Sequence, residues 1–370
     1  MAIKSKELAG LLGVSAATMS LVLNHKPGIS DELRNSLLER IREMGYGYMI
    51  REEEQAERTE PASGSTIAYL VLSEYHDDVE EAAFFPKVIE GAEREARKRG
   101  CGFTILHMYD SSGEKLRESI PKEQFAGMLV YAAQVTEEMK DALDALEIPY
   151  ILIDCYCPLA GASAVTVNNR QGIFAAVKYL YDRGHRRIGY ISSGRPLCSL
   201  VERRKSFRYA MEETGLAEDP LFCVEEAGTG QEAQEYLEEL WKDPARIPTA
   251  MVLENDLMAI AVYRALRGNG LRIPEDVSVI GFDGRSVCSM LEPALTTLRV
   301  PRREMGRMLV MLLLQKIELQ SRTAERVTVR LEIDAELVEM GSVADHSSPA
   351  CQGTGMPDEV TALPKAERRI

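Results

Sequence analysis

Asp283 closes the apolar run VSVIGFD, and a carboxylate at the carboxyl end of a buried strand is well placed to hold a polar ligand. Near the amino terminus, Ala16, Ala17, Ser20 and Leu21 fall on one face of a short helix that Ser15 is placed to cap, and small or apolar side chains of this kind can rest on thymine methyl groups. Both are binding chemistries. Reacting constellations are missing: the sequence has no phosphate-binding P-loop, no GxSxG elbow and no HExxH pair. His185, in GHRR, is the only histidine inside a strong motif, and it reads as the end of a helix. The seven cysteines are odd in number and scattered. Only Cys155 and Cys157 lie close together, and no second pair faces them, whereas zinc normally takes four N or S ligands. They read as reduced thiols in a cytoplasm. No enzyme, no metal and no cofactor are expected.

The bulk properties limit the partners. The 370 residues suffice for two or three domains, and the 45% hydrophobic content is that of an ordinary globular chain. No apolar run approaches the roughly 20 residues of a membrane span, and no secretory signal opens the chain. The net charge of −14 is unevenly spread. Residues 1–50 hold six basic and five acidic side chains, so nearly all the negative charge sits elsewhere. An acidic body with a mildly basic tip can orient itself on a polyanion, because only the tip is attracted to phosphate.

The elements that position these residues follow from periodicity. Ser5 can cap a first helix that offers Leu8, Leu11 and Leu12 to a core, Gly13 supplies a tight turn, and Thr18, Met19, Val22 and Leu23 follow Ser15 at helical spacing. This is the sequence form of a helix-turn-helix, whose second helix enters the DNA major groove. A third helix is expected over 31–44, capped by Ser30, with Leu33, Leu37, Leu38 and Ile41 as its apolar stripe. Residues 51–66 have almost no apolar content and read as an acidic linker. Beyond them, apolar strands (IAYLVLS, GFTILHM, GMLVYA, YILID, AVTV, RIGYIS, TAMVLEN, VSVIGFD) alternate with helical stretches. Such alternation implies parallel sheets wrapped by helices, here in two lobes. A long helix from 302 to about 320 and a last strand, RVTVRLEI, precede a polar tail. The expected division is 1–50 headpiece, 51–66 linker, 67–340 bilobal body, and 341–370 disordered tail.

GVSAATMSLVLN closely resembles the recognition segment of the LacI/GalR family of bacterial regulators. YLYDRGHRRIGYI, MVLENDLMAIAVYRALRGNGLRIPEDVSVIGFDG and EPALTTLRVPRREMGRMLVMLLL are similar to further blocks of that family, in the same order, so the resemblance runs from about residue 3 to about 340. It implies an α/β fold with a three-helix helix-turn-helix headpiece. It also implies a periplasmic-binding-protein-like body of two doubly wound parallel-sheet lobes around a cleft. By the same resemblance, Ala16, Ala17 and Leu21 are base-reading positions, and Ser15, Thr18, Ser20 and Asn24 contact phosphate or backbone. The cleft positions it implies are Phe84, Phe85, Arg203, Asn255, Asp283 and one of Asn168 and Asn169. Asp256 is expected to cap the helix that follows it.

The chain departs from the family in two places. The family often has arginine where this chain has Leu21. Its hinge helix also inserts a leucine into the minor groove, whereas residues 45–60 contain none and present Glu52, Glu53 and Glu54 to phosphate. The expected function is that of a ligand-responsive cytoplasmic transcriptional regulator, a repressor. It would act as a homodimer on pseudo-palindromic double-stranded operator DNA, with no membrane partner. A small-molecule effector, sugar-like or nucleobase-like, would sit in the cleft. Leu21 and the acidic linker would also suit a cytoplasmic small-molecule sensor with weakened or lost DNA binding.

Overall fold

A computed structural model describes residues 5–23, 28–30, 33, 36–38, 40–41, 66–72, 79–108, 113–155, 161–322 and 327–346. Asn24, most of the acidic linker, much of the expected third helix and residues 347–370 lie outside the described residues. The chain divides into two compact units, 1–60 and 61–370.

In the first unit, α1 (Ser5–Leu12) and α2 (Ala16–Leu23) are joined at Gly13, whose φ of 70° is a left-handed conformation that glycine adopts without strain. Ser15 caps α2 as expected, its Oγ accepting from Thr18 N–H at 2.9 Å. Ser30 Oγ likewise accepts from Leu33 N–H, at 3.4 Å, ahead of a helical stretch that includes residues 36–38 and 40–41. Leu8, Ala9, Leu12, Met19, Val22, Leu23, Leu37, Leu38 and Ile41 form one buried cluster. Burying each of the larger side chains stabilises by roughly 1.5–3 kcal/mol. Leu11 and Leu33, expected in this core, stay exposed. The inward stripe of α1 is Leu8, Ala9 and Leu12, and at 3.6 residues per turn Leu11 points about 100° away from its centre.

The second unit contains two six-stranded sheets. The strands of lobe 1 are β1 (Thr66–Leu72), β2 (Gly102–Met108), β3 (Phe125–Ala132), β4 (Tyr150–Ile153), β5 (Ala164–Val167) and β11 (Arg330–Ile333), all parallel in the order β11-β5-β4-β3-β1-β2. Those of lobe 2 are β6 (Ile188–Ile191), β7 (Cys223–Val224), β8 (Ala250–Leu253), β9 (Ser278–Asp283), β10 (Thr296–Arg299) and β12 (Glu336–Val338), in the order β12-β10-β9-β8-β6-β7. Only the edge strand β12 runs antiparallel. The central strands are buried along nearly their whole length, which is why they read as continuous apolar runs rather than alternating ones.

Lobe 1 carries α3 (Val79–Lys98), α4 (Gly113–Ser119), α5 (Glu137–Ala145) and α10 (Arg302–Arg322); lobe 2 carries α6 (Asn169–Asp182), α7 (Cys198–Glu213), α8 (Gly230–Leu240) and α9 (Met258–Gly268). The lobes are interleaved in sequence. The chain passes between them after β5, after β10, and again from β11 to β12. Helices α3 and α10 pack against each other at two glycines: a Cβ on Gly91 would run into the Arg303 carbonyl, and one on Gly306 into the Val88 carbonyl.

The tail begins later than its composition suggests. Ser342 is fully buried, its Oγ donating to Val279 O and accepting from Thr296 N–H, and His346 N–H donates to Arg183 O. Residues 341–346 are therefore part of lobe 2, held by backbone hydrogen bonds that a polar composition does not reveal. Among the described residues, no helix is long and apolar enough to cross a membrane.

Candidate effector cleft and recognition helix

The carboxyl ends of the two sheets meet. Cys198 N–H, at the start of α7 in lobe 2, donates to Ala133 O just past β3 in lobe 1, at 3.3 Å. Gln134 Nε2 donates to Pro196 O at 2.8 Å. Strand ends of this kind are where open α/β sheets bind ligands.

Arg203 is the hub of this junction. It lies on the inner face of α7 and is 2% exposed. Its Nε donates to Asn169 Oδ1 at 2.8 Å, Nη1 to Glu254 O at 2.7 Å and Nη2 to Asp283 Oδ1 at 3.0 Å. The guanidinium also lies 3.8 Å over the Phe282 ring. One cation thus fixes the start of α6 and the ends of β8 and β9 at once, with a fork that lysine could not reproduce. Asp283 uses its other oxygen for Arg285, accepting from Nε at 2.9 Å. Its backbone sits at φ 107°, a strained setting for a residue with a Cβ, and Gly284 follows at φ 68°. Strain of this sort persists only where surrounding contacts over-determine it, and it clusters at binding sites.

Further carboxylates crowd the same place. Asp256 is fully buried, its oxygens accepting from Arg285 N–H and Thr297 Oγ1, each at 2.6 Å. Burial, then the Asp283 charge, push its carboxyl up to about 7. Glu254, equally buried, accepts from Ser192 Oγ at 2.9 Å, and burial raises it too. Across the junction, Asp154 follows β4 with φ 48° and accepts from Val167 N–H at 3.3 Å. Burial raises it to about 6; Arg203 pulls it down and Asp283 pushes it up, so this lobe 1 carboxylate feels the lobe 2 pair directly. Among the described residues, the buried hydroxyl of Tyr69 on β1 has no hydrogen-bond partner, and burial, then the Asp154 charge, push its pKa up.

The candidate residues are distributed as follows. Arg203 and Asp283 are brought together. Asn169, rather than Asn168, joins them. Asn168 caps α6, accepting from Gln171 N–H at 3.1 Å, and donates to Asp334 Oδ1 at 2.8 Å, so it ties two of the interlobe crossings together. Asp256 does not cap α9, whose N-terminal flanking residue is Leu257; Asn255 Oδ1 instead accepts from Leu257 and Met258 N–H, at 2.9 and 3.0 Å, in the turn ahead of the helix. Phe85 is half-buried with its ring 4.1 Å from that of Tyr131 on β3. Helix α3 begins at Val79, so Phe84 and Phe85 lie in its second turn rather than at its start, and the Phe84 side chain is outside the description. Asp154 is not among the residues expected at the cleft, although YILID carries the same signal as VSVIGFD: an aspartate ending an apolar strand. His185 does follow a helix end, its N–H bonding Leu180 O across Gly184 at φ 87°.

Ser15, which caps α2, is exposed, as are Ala16, Ala17 and Ser20 on the helix, and Thr18 and Leu21 are half-buried. The hydroxyls of Ser15 and Thr18 lie 2.8 Å apart.

Residues 5–47 match the family model "Bacterial regulatory proteins, lacI family", and residues 177–343 match "Periplasmic binding protein-like domain". The chain is 29% identical over 347 residues to the HTH-type transcriptional repressor PurR of Vibrio cholerae serotype O1 (strain M66-2), covering 92% of this chain and 98% of that one. It is 27% identical over 341 residues to PurR of Haemophilus influenzae (strain ATCC 51907 / DSM 11121 / KW20 / Rd), covering 91% and 98%. Among solved structures, a transcriptional regulator CelR–cellobiose complex superposes with a TM-score of 0.66 at 26% identity, over 92% of this chain and all of that one.

The chain belongs to the LacI/GalR family.

The lac repressor dimer bound to operator and the anti-inducer ONPF shares the fold, with a TM-score of 0.64 at 18% identity over 93% of this chain and all of that one. This LacI/GalR regulator is, like the repressors it matches, a DNA-binding transcriptional regulator and not an enzyme.

Proposed function

We propose that this regulator is a repressor that binds a pseudo-palindromic operator as a homodimer, and that an effector in the interlobe cleft sets its affinity. Residues 1–50 would form the DNA-binding headpiece, with Ala16, Ala17 and Leu21 against base edges and Ser15, Thr18, Ser20 and Asn24 on the backbone. The exposure of Ala16 and Ala17 supports the first set. A headpiece with only one excess basic side chain has little electrostatic affinity alone, and joining two raises the effective concentration of the second. Work in a cytoplasm follows from the DNA partner.

The observation that carries the cleft reading is the buried Arg203–Asp283 pair at 3.0 Å, with Asp283 in a strained conformation and Asp154 facing it from the other lobe. A small polar ring, sugar-like or nucleobase-like, would offer hydroxyl or ring N–H donors to Asp283 in competition with Arg285. Phe85 would offer an aromatic face. Closure of the lobes would exclude water.

Selection from random duplexes by gel shift tests the DNA half: enrichment of a two-fold symmetric sequence supports it. Failure to retain any duplex would favour the small-molecule sensor. Calorimetry tests the cleft half. Asp283→Ala should weaken the effector found for the wild type at least tenfold, because a buried donor loses its acceptor. Unchanged affinity with the fold intact would remove Asp283 from the site.

A further inference from the structure

Two thiols face each other across the lobe junction. Cys155 follows β4 in lobe 1 and is buried; Cys198 is the first residue of α7 in lobe 2 and is half-buried. They are 43 residues apart in sequence, yet their Sγ atoms lie 3.3 Å apart in hydrogen-bond contact. Cys198 packs against the lobe 1 core, and its backbone N–H bonds Ala133 O, so backbone and side chain both reach across at this point. We infer that Cys155 and Cys198 are an oxidisable pair whose disulfide, formed by a hydroperoxide, fastens lobe 1 to lobe 2.

The geometry favours the step. A disulfide needs its sulfurs about 2.05 Å apart, so the pair must close by about 1.3 Å, within the reach of side-chain rotation and a small lobe movement. The chemistry favours an order. The thiolate is the nucleophile, and Cys198 occupies the amino end of a helix, where negative charge is stabilised. The Cys155 thiol, with the backbone N–H groups of Val135 and Cys198, brings the Cys198 thiol down to about 7 against burial and the charge of Asp154. Cys198 is also the more accessible of the two.

Its thiolate attacks one oxygen of hydrogen peroxide. An S–O bond forms, the O–O bond breaks, and hydroxide leaves to take up a proton as water. The Cys155 sulfur then attacks Sγ of the Cys198 sulfenic acid, the S–O bond breaks, and a second water leaves with the Cys155 proton. Two thiols and one peroxide give one disulfide and two waters. The link does not depend on where the effector binds. Any effect on operator affinity does rest on the proposal that the interlobe cleft sets that affinity.

Full-length protein treated with a few equivalents of hydrogen peroxide should lose two titratable thiols and 2 Da in mass. Its digest should contain a crosslink between the peptides bearing Cys155 and Cys198, reversible by dithiothreitol. The variant Cys157→Ser should retain the link; Cys155→Ser and Cys198→Ser should each lose it. Amide exchange at 133–134 and 197–199 should slow in the oxidised form. Alkylation of Cys198 should show a midpoint near pH 7 rather than the usual thiol range. A link between Cys155 and Cys157, accumulation of Cys198 sulfinic acid, or undiminished thiols would overturn the pair. A crosslinked protein with unchanged exchange would overturn the fastening of the lobes. Should a serine variant misfold, the wild-type peptide map decides alone.

Discussion

Arg203 and Asp283 stand 80 residues apart in the chain and meet at 3.0 Å, each with a side chain only 3% exposed. An ion pair this deep gives little net stability over an apolar pair of the same volume, because both charges are stripped of water. Removing one partner is another matter. Arg203→Ala would leave Asp283 Oδ1, Asn169 Oδ1 and the Glu254 carbonyl without their donor. Chemical denaturation should show a loss of about 3–5 kcal/mol. A loss under about 1 kcal/mol would mean that water replaces the guanidinium freely, and that the junction is more open than its burial indicates.

The carboxylates around this pair give stability a definite pH dependence. Burial raises Asp154 to about 6 and Asp256 to about 7. A native carboxyl with a raised pKa holds its proton where the unfolded chain has released it. Its contribution is therefore most favourable below the unfolded value near 3.8 and is lost as pH rises through 6 to 7. Asp154→Asn removes one such group while keeping an acceptor for Val167 N–H. Relative to wild type, the variant should gain stability between pH 4 and pH 7, by up to about 3 kcal/mol from a shift of this size. Parallel pH profiles of Tm for the two proteins would contradict it.

What the sequence reveals here depends on the range of the interaction. Ser15, Gly13 and the VSVIGFD strand are local patterns, and each is found where its chemistry places it. Asp154 carries the same local pattern as Asp283, but its significance comes from Arg203 in the other lobe, and no spacing reports that. Asp256 does not cap the helix after it because α9 begins only at Met258, so Asn255 takes up the Leu257 and Met258 N–H groups in the preceding turn and the Asp256 side chain turns toward Thr297 and Arg285 N–H. Helix starts are uncertain by a residue or two from sequence, and one residue suffices to move a side chain from cap to cleft. The interleaving of the lobes is equally hidden: the sequence marks 302–320 as a long helix without saying on which sheet it packs. Cys155 and Cys198 look idle as sequence and become a pair only when the lobes meet.

The crossing of α3 and α10 rests on the absence of two side chains. Gly91 and Gly306 let each backbone approach the other's helix, and an added Cβ at either would strike a carbonyl. Alanine usually stabilises a helix interior by about 1 kcal/mol over glycine. Here Gly306→Ala should reverse that sign, because neither backbone can yield without separating the helices, and overpacking of this kind costs about 1–3 kcal/mol. Thermal unfolding of Gly91→Ala and Gly306→Ala distinguishes the two expectations; a raised Tm in either would refute the close crossing.

The acidic linker supplies the sharpest test of how the headpiece meets DNA. Glu52, Glu53 and Glu54 follow the headpiece directly, and the stretch contains no leucine to wedge a base step. If this segment runs beside phosphates, its carboxylates repel them, and the repulsion weakens as salt screens it. Replacing all three glutamates with glutamine should then tighten operator binding at low salt, with a difference that shrinks toward high salt. Fluorescence anisotropy across a salt series reads both. The opposite result, weaker binding by the triple variant, would mean that the glutamates hold a structured hinge by pairing with Arg51, Arg58 or the headpiece. Truncation separates the two outcomes from a general defect: removing residues 1–50 should abolish operator binding while sparing effector binding. A truncated protein that still retains operator DNA would move the DNA-binding surface out of α2 altogether.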